Sequence, residues 1–116
     1  MAKKLKLSAD AIKPLVTDGG GCIATDRITV EGYPVRFMYR EAPVNSTDSG
    51  WRFLSGFESD AYMEEPGNQS FYEVNTIANY DQSIIAFLDA PVGSAFEKAE
   101  PTSSFEEVKD WEPDED

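Results

Sequence analysis

Glycine and proline divide this chain into short pieces: Pro14, Gly19-Gly20-Gly21, Gly32 with Pro34, Pro66-Gly67, and Pro91 with Gly93. The residue before a proline avoids helical angles, and glycine favours turns. None of the intervals reads as a long amphipathic helix, so the chain must build from short strands and helices of one or two turns. Two intervals carry a period of two. Val35, Phe37 and Tyr39 alternate with Arg36, Met38 and Arg40, and Trp51 and Phe53 flank Arg52, which is the pattern of half-buried strands. The expected fold class is α+β: an antiparallel sheet of about four to five strands with short flanking helices.

The other pieces fill in that sheet. Cys22 to Thr25 reads as a strand, with Ile28-Thr29-Val30 extending it or forming an edge; Phe71 to Val74 and Ser94 to Glu97 add two more. A hairpin through the polar stretch Glu41 to Gly50 sets Tyr39 opposite Phe53 and Arg40 opposite Arg52, and puts Phe37 and Phe53 on one buried face. Two arginines side by side repel, which invites a carboxylate such as Glu41 or Glu58. Ser8 is placed to cap a helix of about two turns that ends at Pro14, with Leu7 and Ile12 as its hydrophobic staple. Ser59 to Glu65 and Asn75 to Asn79 suit single helical turns. Asp81 caps Gln82 to Leu88, turning Ile84, Ile85 and Leu88 inward. Ser104 and Glu107 form a capping box, and Phe105, Val108 and Trp111 a helical stripe behind it.

Chemistry is limited by what the chain lacks. With no histidine, Ser-His and Cys-His nucleophile systems are unavailable, as is the usual proton shuttle near neutral pH. The one cysteine, Cys22, permits no intramolecular disulfide and no zinc site, which fits a reducing, cytoplasmic setting; a small buried side chain is its expected role. Lys3, Lys4 and Lys6 precede a segment broken by Ser8 and Asp10, unlike an export signal, and no stretch has the length of a membrane span. Among 22 acidic residues, Glu41, Glu58, Asp60, Glu73, Asp81 and Asp89 could serve acid–base work, but no spacing selects a pair. Glu58, Asp60, Glu64 and Glu65 lack the order of a calcium loop. No catalytic residue, metal or cofactor is expected.

Charge divides the chain. Residues 1–56 hold 8 Lys+Arg against 6 Asp+Glu, and residues 57–116 hold 2 against 16. A net charge of −12 opposes binding to nucleic-acid phosphates and steers a basic partner toward the acidic half.

Five strings occur in order: Tyr39-Arg40-Glu41, Gly50-Trp51-Arg52-Phe53, Ser55-Gly56, Val74-Asn75-Thr76-Ile77-Ala78-Asn79-Tyr80-Asp81 and Gly93-Ser94-Ala95-Phe96-Glu97. Over roughly residues 21–98 they resemble a bacterial family of unknown function later classed as immunity protein 33-like, among the immunity proteins of polymorphic toxin systems. The length fits a single domain over residues 1–111, the resemblance implies that it binds and neutralises a protein partner, a cognate toxin, and the charge points to a basic domain on that toxin. It points to Arg40, Glu41, Trp51, Arg52, Asn75, Tyr80 and Asp81 as partner-binding positions. Residues 112–116 lie outside the pattern and read as a disordered acidic tail. Two other classes stay open at this point. One is a small carboxylate-dependent hydrolase or transferase, marked by a cleft with two close carboxylates of raised pKa. The other is a housekeeping interaction module without a toxin. The sequence leaves the oligomeric state open.

Overall fold

The protein is described here from a computed structural model, covering residues 5–17, 19–100 and 103–108. Among the described residues six strands form one sheet: β1 (Gly21–Thr25), β2 (Phe37–Arg40), β3 (Asp48–Leu54), β4 (Gln69–Glu73), β5 (Ala95–Lys98) and β6 (Phe105–Glu107). Their order is β4-β1-β3-β2-β5-β6. β1 and β3 run parallel, and the other neighbouring pairs are antiparallel. Short helices α1 (Asp26–Thr29), α2 (Asp60–Glu64) and α3 (Val74–Tyr80) are joined by 3-10 turns at Ala9–Ala11, Pro66–Asn68 and Gln82–Phe87. The α+β class is as expected, with one strand more than the upper expectation and one parallel pair. Trp111 and the acidic tail at 112–116 lie outside the described residues.

The core occupies one face of the sheet. Cys22 and Ala24 of β1, Trp51 and Phe53 of β3, Met38 of β2 and Phe96 of β5 meet Ile28 of α1, Val74, Ile77 and Ala78 of α3, and Ile84. Trp51 and Phe53 are both 1% exposed and stack with ring centroids 6.2 Å apart, as their two-residue spacing on one strand predicts. Burial of two such aromatic side chains is among the largest apolar contributions in a sheet of this size.

Five expectations fail for physical reasons. Ile28 and Thr29 form α1 rather than a strand. Their β-branched preference is overridden because both are fully buried as a helical turn, with Thr29 Oγ1 3.1 Å from the Tyr72 hydroxyl. Phe105–Glu107 forms the edge strand β6, not a capped helix. Phe105 packs edge-on against Phe87 with centroids 5.6 Å apart, and the Val108 N–H donates to Ala95 O, so strand pairing outweighs the local capping signal. The β2 phase is shifted by one: Met38 sits opposite Phe53, Tyr39 opposite Arg52 and Arg40 opposite Trp51. Met38 is therefore the buried side chain, and Phe37 stands half-buried on the opposite face from Phe53. The segment after Ser8 makes a single 3-10 turn, and Ile85 of the Gln82–Phe87 turn is 37% exposed while Ile84 is buried. A 3-10 turn has three residues per turn, so it cannot hold both isoleucines inward.

Candidate functional site

The candidate residues fall into three polar clusters, each tying a loop or the N-terminal arm to the sheet. The first is centred on Arg52. Its guanidinium donates to both carboxylate oxygens of Asp48 at 2.9 Å, to Glu41 Oε2 at 2.6 Å and to the Trp51 carbonyl at 3.0 Å. In a regular strand, residues four apart lie too far apart to touch. Here the register of β3 on β1 slips between Gly21 and Cys22, whose partners are Asp48 and Trp51, so Ser49 and Gly50 form a bulge that brings Asp48 back to Arg52. Gly50 has φ +91°, and a Cβ there would overlap the Glu41 carbonyl oxygen. Only glycine fits. Asp48 also accepts the Val44 and Gly50 N–H groups, which closes the loop after Glu41. Arg52 holds the Asp48 carboxyl well below the usual carboxylate range, and burial opposes this without reversing it.

Arg40 lies beside this cluster on the core face. It donates to the Ser49 and Ala90 carbonyls at 2.8 Å and stands 5.6 Å from the Trp51 ring centroid. Trp51 in turn donates from Nε1 to Leu88 O at 3.2 Å. Arg40 and Arg52 are not neighbours across the strands, because the register sets them against Trp51 and Tyr39.

The second cluster is built by α3. Asn75 Oδ1 accepts the Leu15 and Val16 N–H groups at 2.8 Å, and its amide donates to Lys13 O at 2.9 Å. Asn79 holds Lys13 through both N–H and C=O at 2.9 Å. At the next residue, the Tyr80 hydroxyl accepts from Leu7 N–H at 3.0 Å and donates to Thr29 O at 2.8 Å. The four-residue spacing of Asn75 and Asn79 places both amides on one helix face, so an arm that has only one helical turn of its own is held by side chains.

The third cluster joins Asp81 to Lys98. The ion pair is 2.7 Å long, with side chains 10% and 5% exposed. Asp81 also accepts the Val35 N–H and caps the following turn through Ser83. Burial pushes its carboxyl up, but Lys98 and Ser83 outweigh that and hold it below normal. Glu58 behaves alike: burial raises it, while Thr25 and Ser55 win and lower it. Neither carries the raised pKa that general-acid work requires. Cys22 is fully buried, and its thiol is pushed up by that burial. Among the described residues no three potential metal ligands come together.

Sequence reasoning did not single out Asp48, Lys98, Asn79 or Gly50. Asp48 was hidden in a stretch read as loop. Lys98 had a signal, since it is one of two cations in residues 57–116 and shares strand parity with apolar Phe96. Among the clefts lined by described residues, one of about 850 Å³ lies beside Asp81 and Lys98 and another of about 480 Å³ at the three glycines.

Fold and clusters together describe a small α+β domain in which a one-sided sheet is framed by loops and an arm fastened through polar side chains. Among known families, the chain matches the model described as Immunity protein Imm33 domain over residues 22–109. That is most of its length, and the chain belongs to this family. No curated protein and no solved structure matches it.

Proposed function

We propose that this chain neutralises a cognate toxin by binding it, without catalysis, in the reducing compartment where its cysteine stays a thiol. The observation that carries the reading is the family match across residues 22–109. The state of the carboxylates supports it. Glu41 is held by Arg52, Glu58 by Thr25 and Ser55, and Asp81 by Lys98 and Ser83, on separate elements, so the most engaged acids serve the frame. Among the seven motif positions, Glu41 combines a frame role with a side chain that is 38% exposed. The net charge of −12 favours a basic partner and speeds encounter with it.

The test is to read the genes beside the chain's own for a large secreted protein and to co-express the chain with its toxin domain. Rescue of growth together with a stoichiometric complex on size-exclusion chromatography supports the reading. Rescue by a few molecules of chain per hundred of toxin points instead to turnover, and no rescue removes the assignment.

A further inference from the structure

The helices that carry the buried core lie on one face of the sheet, and the opposite face bears a partly exposed apolar band. By register, Phe71 of β4 sits beside Ile23 of β1, and Leu54 of β3 beside Phe37 of β2. Ile23, Leu54 and Phe37 are half-buried and Phe71 is 47% exposed. The cation that the register puts on this face, Arg52, is 3% exposed and already grips Asp48 and Glu41. Carboxylates mark both margins: Glu73 on β4, Glu97 on β5 and Glu106 on β6, all exposed. Such a face repels an acidic surface and attracts a basic one.

At its β4 margin the band ends in the cleft of about 480 Å³, lined by Phe71, Val16, Thr47 and Glu73 around Gly19, Gly20 and Gly21. Gly21 makes this cleft possible. A Cβ at that position would overlap the Phe71 ring, so the glycine lets the ring lie down across β1. The Glu73 carboxylate has no hydrogen-bond or ion-pair partner among the described residues. An apolar wall ending in a carboxylate that no described residue pairs matches a long side chain with an aliphatic stem and a cationic head.

We infer that this cleft is the anchor pocket for a lysine or arginine projecting from a basic partner protein, its stem against Phe71 and Val16 and its charge at Glu73. The inference rests on the toxin-binding reading and names the surface that does the binding. The measurement is a nitrogen-15 NMR titration of the full chain with the pentapeptide acetyl-Gly-Leu-Lys-Leu-Gly-amide and its norleucine analogue. The lysine peptide is expected to give saturable shifts at Gly19, Gly20, Gly21, Thr47, Phe71 and Glu73. Loss of the cationic head, or Glu73→Gln in the chain, is expected to weaken binding about fivefold or more. Glu73 is exposed, so its amide variant keeps the fold, which the unshifted remainder of the spectrum verifies. Equal binding of the norleucine peptide, shifts centred elsewhere, or indifference to Glu73→Gln overturns the pocket. Broadening of the same amides with protein concentration alone overturns it in favour of a second copy of the chain. Because the titration needs no toxin, the two readings fail separately. Growth rescue without peptide binding sinks the pocket alone, and peptide binding without rescue sinks the toxin alone.

Discussion

Arg52 and Asp48 stand four residues apart on one strand and still face each other through two parallel hydrogen bonds of 2.9 Å. The bulge at Ser49 and Gly50 is what allows it, and Glu41 closes the third side of the guanidinium at 2.6 Å. The Asp48 side chain is fully buried and that of Arg52 4% exposed, so removal of either leaves a charge in a dry site. Arg52→Met is expected to cost about 3–5 kcal/mol, the range for orphaning a buried partner. Glu41→Gln, at a 38% exposed side chain, should cost about 1 kcal/mol or less. Urea melts of the two variants check the contrast.

Gly50 and Gly93 separate steric need from backbone preference. Both have positive φ, +91° and +98°, but a Cβ at Gly50 would collide with the Glu41 carbonyl, while at Gly93 it meets nothing within 4 Å. Gly93→Ala should cost about 1 kcal/mol through φ alone. Gly50→Ala should cost more than about 2 kcal/mol, because strain and overlap combine there. Thermal unfolding of both proteins measures the difference.

Acid should destabilise the fold. Asp48, Glu58 and Asp81 are all held below their ordinary values of 3.8, 4.5 and 3.8. For a carboxyl depressed on folding, the unfolded chain binds protons more readily, so stability is full above the unfolded pKa and falls as pH drops through the folded one. The urea midpoint should therefore decline from about pH 5 downward. Asp81→Asn should start less stable and decline less steeply, and an unchanged slope would remove Asp81 from the account.

Hydrogen exchange can read the arm one bond at a time. Asn75→Ala should speed exchange at Val16, whose N–H has Asn75 as its acceptor, and leave Leu7 protected. Tyr80→Phe should do the reverse, because its hydroxyl is the acceptor for Leu7. Simultaneous loss at both amides in either variant would mean the arm detaches as a unit.

Phe53 and Phe37 test the strand phase. Phe53 is 1% exposed in the core, so Phe53→Ala should cost about 3–5 kcal/mol. Phe37 is half-buried on the other face beside Leu54 and should cost about half as much or less. Denaturant melts that rank them the other way would return β2 to the phase its aromatics suggest.

Strands with a single apolar face were legible in the sequence. Trp51 and Phe53 announced β3, and Ser59 and Asp81 announced two helical starts that the structure keeps. β2 was read one residue out of phase because both its faces carry large apolar side chains, Phe37 and Tyr39 on one and Met38 on the other, and alternation cannot choose between them. β6 and α1 were misread because tertiary pairing and burial decided them. The partners of the motif residues, Asp48 and Lys98, come from segments far along the chain or folded back by a bulge. One-dimensional spacing does not record such meetings.

The place of β1 between β3 and β4 imposes a timetable on the growing chain. β1 is made first, yet both strands that flank it are synthesised later, and the arm before it is fastened by Tyr80, 73 residues from Leu7. The β2–β3 hairpin can close as soon as it emerges. β1 must wait, with Cys22, Ile23 and Ala24 bare, until β3 is made to pair with one edge and β4, which pairs with β1 alone, to cover the other. Distant pairings of this kind slow folding and lengthen the time an apolar strand lies open to aggregation. β1 is thus left bare longest among the early strands, and β4 is the edge that finally covers it.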